Sequence, residues 1–329
     1  MRVELGTTVV NNSQGIPQVA PVGLNLSKPP YDSEGFAGVF LGSKGAGKSN
    51  VGALFAEQCY ASKIPFIYVD RGSDAFGLRD LGSSVVTFGS FDSASERRIA
   101  QRNIDSLESK PYCYKVARSV LEQGYSLVLD CSVQMRHDAA GELNRDGLHN
   151  HPLSAFSTFL NVFYSVAQQA RRPCMLIVDE AHFFAPQKRS VSIQKLSTEA
   201  LSVFAHDSRK AGVGTLFLTQ RNAAISKSVI FDSNVRIFGR MSHMPDFKAI
   251  KEYSPDLEYI QVSSLRTGEA YLVSPRGAIK ITFNLRETAA LGDTPLFVSQ
   301  IDKLPDGSDF ADETTVRIAG SMGGDWEKV

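Results

Sequence analysis

Cysteine is scarce and scattered. Cys59, Cys113, Cys131 and Cys174 are the four in 329 residues, and none forms a Cys-x-x-Cys pair, which excludes a disulfide framework and a zinc ribbon and reads as reduced, mostly core thiols. No stretch reaches the roughly 18 consecutive apolar residues that suggest a bilayer span, and Met1-Arg-Val-Glu-Leu-Gly lacks a basic segment followed by an apolar one, so a cytoplasmic protein with no membrane partner is expected. An excess of one charge is missing too: 35 Lys and Arg balance 35 Asp and Glu. No global basic field exists to hold nucleic acid, so any such contact must come from local patches. Hydrophobic residues make up 43% and charged residues 21%, which excludes wholesale disorder, collagen and coiled coil. The length suits one large domain or two ordinary ones.

Residues 1–35 are rich in Asn, Ser, Gly and Pro without a sustained period, predicting an irregular lead-in with a short strand or two. From Phe36 on, strand-length apolar runs alternate with helical patterns. The runs are Gly38–Leu41, Pro65–Val69, Ser126–Leu129, Cys174–Val178, Thr215–Leu218 and Val235–Phe238; lacking polar alternation, they suit strands buried on both faces. Ser49–Tyr60, Leu153–Arg171, Thr198–Lys210 and Pro245–Tyr253 carry i, i+3, i+4 apolar spacing and read as helices. This alternation predicts an α/β layered fold with a mostly parallel central sheet flanked by helices. Glu269–Phe283 reads as a hairpin turning at Pro275-Arg276-Gly277. The expected organisation is a lead-in over 1–35, a single α/β domain over 36–300 with an insertion at about 90–150, and an acidic tail over 301–329 carrying Asp306, Asp309, Asp312 and Glu313.

Gly42, Ser43, Lys44, Gly45, Ala46, Gly47, Lys48 and Ser49 complete a phosphate-binding loop, following an apolar strand and opening a helix. In such a loop the glycines let backbone N–H groups converge on phosphate oxygens, and the helix N-terminus adds its positive end. Lys48 is assigned to the β- and γ-phosphates and Ser49 to Mg²⁺, with Asn50 the last of the ATP-binding residues. Met175–Val178 runs into Asp179 and Glu180, which suit a second metal-side ligand and the polariser of attacking water, and so imply hydrolysis. Gln220, ending Thr215-Leu-Phe-Leu-Thr-Gln, is placed to sense the γ-phosphate or orient water.

The strings Val178-Asp-Glu-Ala-His-Phe-Phe-Ala-Pro186, Arg209-Lys-Ala-Gly-Val-Gly214, Leu218-Thr-Gln-Arg221 and Gly268-Glu-Ala-Tyr-Leu-Val, in this order after the loop, resemble the ATPase core of the HerA/FtsK superfamily, and HerA in particular, over about residues 36–285. The resemblance implies a RecA-like P-loop NTPase core of the ASCE type, a hexameric ring of identical subunits with ATP between them, and DNA passing through the channel. It implies an arginine reaching the neighbour's γ-phosphate: Arg209 first, Arg240 in reserve. It also places His182 inside the family's motif. Candidate DNA-tracking loops are Gln187–Lys195 and Arg221–Lys227. His137, His149 and His151 sit among acids without a metal-ligand spacing and read as a polar loop. HerA proteins carry an N-terminal β-barrel, whereas 41 residues precede Gly42 here, so the barrel is expected to be missing or reduced to a strand.

The leading reading is therefore an ATP-hydrolysing, ring-forming motor that translocates or pumps DNA. The alternative is an oligomeric ATP-dependent scaffold or switch that recruits a nuclease or other effector. A small-molecule kinase is disfavoured because Glu180 is the hydrolytic residue such an enzyme does without.

Overall fold

The apolar runs read from the sequence become neighbouring strands of one sheet. In the computed structural model the described residues are 2–11, 16–26, 35–72, 75–89, 101–131, 152–188, 192–255, 257–274 and 277–289. In chain order they form β1 (Arg2–Asn11), β2 (Pro17–Asn25), β3 (Ala37–Leu41), α1 (Lys48–Ala61), β4 (Phe66–Asp70), β5 (Val85–Gly89), β6 (Arg102–Asn103), α2 (Lys110–Gln123), β7 (Ser126–Asp130) and α3 (Pro152–Ala170). There follow β8 (Cys174–Val178), α4 (Ala181–Phe184), α5 (Ser192–Asp207), β9 (Val213–Thr219), α6 (Lys227–Phe231), β10 (Val235–Gly239), α7 (Met244–Lys251), α8 (Tyr259–Ser263), β11 (Glu269–Ser274) and β12 (Gly277–Phe283). The sheet order is β2-β1-β12-β11-β10-β3-β9-β8-β4-β7-β5-β6.

From β10 to β6 every pairing is parallel, and both faces are covered, as parallel sheets require. Alternate residues divide between two cores. Phe40, Tyr68, Val128, Ile177, Leu216 and Leu218 face α1, while Val39, Ile67, Val69, Leu129, Leu176 and Phe217 face α2, α3 and α5. Phe156, Phe159, Leu160 and Phe163 make the buried stripe of α3, one helical turn apart. The side of the sheet from β2 to β11 is antiparallel, and β10 joins it to the parallel part.

The lead-in supplies two strands, the most expected of it, of ten and nine residues and so longer than the short ones anticipated. β1 pairs with β2 along its length and with β12 at Gly6 and Thr7. The hairpin of β11 and β12 forms as expected, with its turn at 275–276 outside the described residues. Within the 90–150 stretch, α2 and β7 pack in the main core. Residues 90–100 and 132–150 of that stretch, the latter with His137 and His149, lie outside the described residues, as do His151 and the 301–329 tail. Sequence periodicity missed β5 and α2: the first is five residues long, and the second opens Lys-Pro-Tyr-Cys-Tyr with its apolar positions diluted. Among the described residues no helix is long and apolar enough to cross a membrane.

Candidate nucleotide site

β3 is flanked by β9 and β10 and ends at the carboxyl edge of the sheet, where α/β sheets bind their ligands. The loop that follows is tied to both neighbouring strand tips. Gly42 N–H donates to the Thr219 carbonyl at 3.2 Å and Ser43 N–H to the Arg240 carbonyl at 2.8 Å. Gly45 (φ 77°) and Gly47 (φ 94°) take the left-handed conformation, which glycine adopts without the steric cost a side chain incurs. The chain thereby reverses and enters α1 at Lys48, leaving the helix N-terminus inside the loop. Lys48 is buried, and its ammonium donates to the Ser43 carbonyl at 3.0 Å. Burial lowers its pKa, opposed by the charges of Glu180 and Asp179.

Two strands from β3, β8 delivers Asp179 and Glu180 to the same edge. Ser49 Oγ donates to Asp179 Oδ2 at 2.8 Å, so the two side chains assigned to Mg²⁺ meet across the site. A hydroxyl and a carboxylate are hard oxygen donors of the kind that ion takes, and the pair fits it. Burial, then the Glu180 charge, raises Asp179 to about 6 despite the Ser49 bond. Glu180 has φ 51°, a left-handed conformation unusual for a residue with a side chain. Its Oε2 is buried without an aligned hydrogen bond, yet stands 3.2 Å from His182 Nδ1. We therefore read that contact as a close approach rather than a formed bond. His182 Nδ1 also lies 2.9 Å from Thr219 Oγ1, linking the Glu180 turn to the tip of β9. Gln220 follows Thr219 directly, just past the end of β9, the strand between β3 and β8. Asn50 spends its amide on the Asn284 carbonyl at 2.8 Å and the Arg286 N–H at 3.0 Å, so its side chain fastens the segment after β12.

Sequence reading missed two further acids. Asp70 and Asp130 end β4 and β7 in register with one another, on the strand beside β8 and the next one out. Burial, then the Asp179 charge, raises Asp70 to about 8, although it accepts the N–H groups of Gly72 (2.8 Å) and Ala75 (2.6 Å). The signal was present: Phe66-Ile-Tyr-Val-Asp70 and Ser126-Leu-Val-Leu-Asp130 end as Met175-Leu-Ile-Val-Asp179 does. Among the described residues no group of three or more His, Cys, Asp or Glu is arranged to hold a metal. Beside this row, the Arg71 guanidinium lies 4.6 Å from the centre of the Phe183 ring.

The two arginines fall at opposite ends of the strands. Arg209 sits in the turn that enters β9. β9 runs parallel to β3, so Arg209 is at the amino edge of the sheet, on the order of 20 Å from the P-loop edge. Arg240 follows β10 at the carboxyl edge, beside its own loop. The two candidate DNA loops prove to be one structure. Gln187 N–H donates to the Ala224 carbonyl at 2.7 Å, Lys227 N–H to Gln187 Oε1 at 3.0 Å, and Pro186 bridges Ile225. Lys188 and Arg221 are exposed there, whereas Lys227 is paired with Glu252 at 3.2 Å. Residues 189–191 lie outside the described residues.

No family model matches the chain. It is 32% identical over 117 residues to the probable DNA double-strand break repair helicase HerA of Methanocaldococcus jannaschii, covering 35% of this chain and 22% of that protein. It is 31% identical over 113 residues to the DNA double-strand break repair helicase HerA of Pyrococcus furiosus, covering 33% and 19%. The matched stretch thus spans about a fifth of these curated relatives. Among solved structures, VirB4 of Thermoanaerobacter pseudethanolicus superposes with a TM-score of 0.54 at 13% identity, covering 86% of this chain and 96% of that one. That likeness concerns the fold alone, a RecA-like core with a mostly parallel sheet flanked by helices.

Proposed function

We propose that this chain is a P-loop ATPase of the HerA/FtsK superfamily, which it resembles over about a third of its length, and that it hydrolyses ATP with Mg²⁺ to move DNA through a ring of identical subunits. The observation that carries the ATPase reading is the meeting of Lys48, Ser49, Asp179 and Glu180 at one strand edge, with Ser49 and Asp179 2.8 Å apart. The loop N–H groups and Lys48 bind the phosphates. Ser49 and Asp179 hold Mg²⁺, which when bound neutralises charge on the transferred phosphoryl group. Glu180 takes the proton of the attacking water and Gln220 orients that water. Lys44, Ala46 and the glycines line the loop, and Asn50 acts by fastening the neighbouring backbone.

Arg209, too far from its own loop, acts on a neighbour's nucleotide, which makes the oligomer part of the mechanism. DNA is held by the joined 187–195 and 221–227 loops through phosphate contacts that ignore sequence. The supporting resemblance is to two repair helicases over part of this chain.

The test is ATP turnover with and without double-stranded DNA at low salt, with the oligomer's mass measured in the same buffer. DNA-stimulated turnover by a ring, lost in Glu180→Gln, is expected. Turnover indifferent to DNA, with no DNA binding at low salt, would remove the motor and leave the effector-recruiting switch.

A further inference from the structure

Arg240 stands at an unusual place for a cation with nothing to hold. β10 lies beside β3 in parallel register, Phe238 opposite Leu41, so Gly239 and Arg240 run alongside the start of the phosphate-binding loop. The backbone there is fixed twice. The Arg240 carbonyl accepts the Ser43 N–H at 2.8 Å, and Ser242 N–H donates to Ser43 Oγ at 3.1 Å. From this anchored position the side chain reaches the loop at Gly45. A methyl group built on the Gly45 α-carbon would sit 3.5 Å from Arg240 Nη2.

The guanidinium's Nε is buried and has no hydrogen-bond partner, and among the described residues no carboxylate pairs with Arg240. A guanidinium keeps its proton at any working pH, so the loop is flanked by a permanent cation whose buried Nε has no partner. Such a group is costly to leave unmatched, and its fork of donors suits phosphate oxygens. Lys48 meets the same loop from the helix side, at the Ser43 carbonyl. Lys48 and Arg240 therefore bracket the loop from its two sides.

We propose that Arg240 is a ligand of the nucleotide's phosphate tail, acting on the P-loop of its own subunit. It thereby differs from Arg209, whose place at the far edge of the sheet suits a neighbour's site. The inference rests on the Gly42–Ser49 loop being the ATP site. It gives the chain a cationic contact that forms on binding in a single copy, before any ring closes.

The test uses the intact chain and a fluorescent ATP analogue displaced by ATP or by inorganic tripolyphosphate. Arg240→Gln is expected to weaken both competitors about tenfold or more, as loss of a charge-assisted contact does, with an unchanged melting temperature and partial recovery in Arg240→Lys. If the Gln variant melts early, Arg240→Met, which keeps the apolar stem, takes its place. ATP affinity within about twofold of the wild type overturns the proposal. So does a loss for ATP that tripolyphosphate does not share, or one seen only at concentrations where the chain is oligomeric. Failure of the wild-type protein to bind ATP would instead sink the ATP-site reading itself.

Discussion

Glu180 is held at φ 51° immediately after a buried strand, a backbone placement that costs an L-residue on the order of 1 kcal/mol. Its carboxylate stands 3.2 Å from His182 Nδ1, which in turn lies 2.9 Å from Thr219 Oγ1 at the tip of β9. Glu180→Gln keeps the side chain's shape and removes its basicity. Its turnover is expected to fall by about 10²- to 10⁴-fold while a fluorescent ATP analogue binds as before; turnover within a few-fold of the wild type would take the base role from Glu180. Asp70 yields a pH prediction. The folded protein holds protons on Asp70 (about 8) and Asp179 (about 6) that the unfolded chain releases near the ordinary carboxylate pKa. The stability these two groups contribute is therefore full below the ordinary carboxylate range, declines from there as pH rises, ending near 6 for Asp179 and near 8 for Asp70, and is flat above. The melting temperature of the magnesium- and nucleotide-free protein should be higher at pH 6 than at pH 8.5. Asp70→Asn should flatten the upper part of that slope; an unaltered slope would assign it to other groups.

At the scale of elements, α1 is both the nucleotide helix and a structural spine. A Cβ on Gly52 would lie 2.7 Å from both Leu218 Cδ1 and Tyr68 Oη, so the helix lies against β9 and β4 with no room for a methyl group. Gly52→Ala is expected to cost about 1–3 kcal/mol by overpacking, read from urea unfolding; a neutral or stabilising change would show that the sheet yields there. On its other side α1 holds the chain after β12. Glu57 accepts the N–H of Glu287 at 3.1 Å and, at Oε1, the N–H of Thr288 at 2.8 Å and its hydroxyl at 2.6 Å. Glu57→Ala leaves these donors without their acceptor, and a loss of about 1–3 kcal/mol is expected in the same assay. Both contacts place the exit of the domain under the control of the helix that begins at the phosphate loop.

For the whole molecule, the parallel sheet separates the two halves of one proposed catalytic centre. The loop and Glu180 are at its carboxyl edge and Arg209 at its amino edge; on the proposed assignment of Arg209, a complete centre would need two copies in head-to-tail contact, the geometry that closes into rings. Lys48→Ala and Arg209→Gln should each be nearly inactive alone. Mixed, they should regain activity, because an intact loop in one copy then meets an intact arginine in the next. Absence of recovery in mixtures shown to co-assemble would place Arg209 outside the centre. The four thiols give a check on the fold itself: Cys59, Cys113, Cys131 and Cys174 are free and buried, and burial raises each, Cys59 to about 12 and Cys113 to about 11. None should react quickly with a thiol reagent until the protein is denatured; a fast-reacting thiol in the native protein would contradict this packing.

The sequence by itself determined what short-range chemistry can specify. The Gly42–Ser49 spacing, the apolar run into Asp179 and Glu180, and the unbroken apolar character of β3, β4, β7, β8, β9 and β10 follow from local pattern, because buried parallel strands and phosphate loops each need particular residues at fixed intervals. What it could not decide was which distant residues stand side by side, since strand order is set by packing and crossover rather than by position in the chain. Only the tertiary structure joined the 187–195 loop to the 221–227 loop, turned Asn50 toward Asn284 and Arg286, set Asp70 and Asp130 in a row beside Asp179, and divided Arg240 from Arg209 by the length of a strand. The lead-in shows the same limit. Its Val3, Leu5, Val22 and Leu24 become buried because β12 offers an open edge for β1 to join, an opportunity invisible until the rest of the sheet exists.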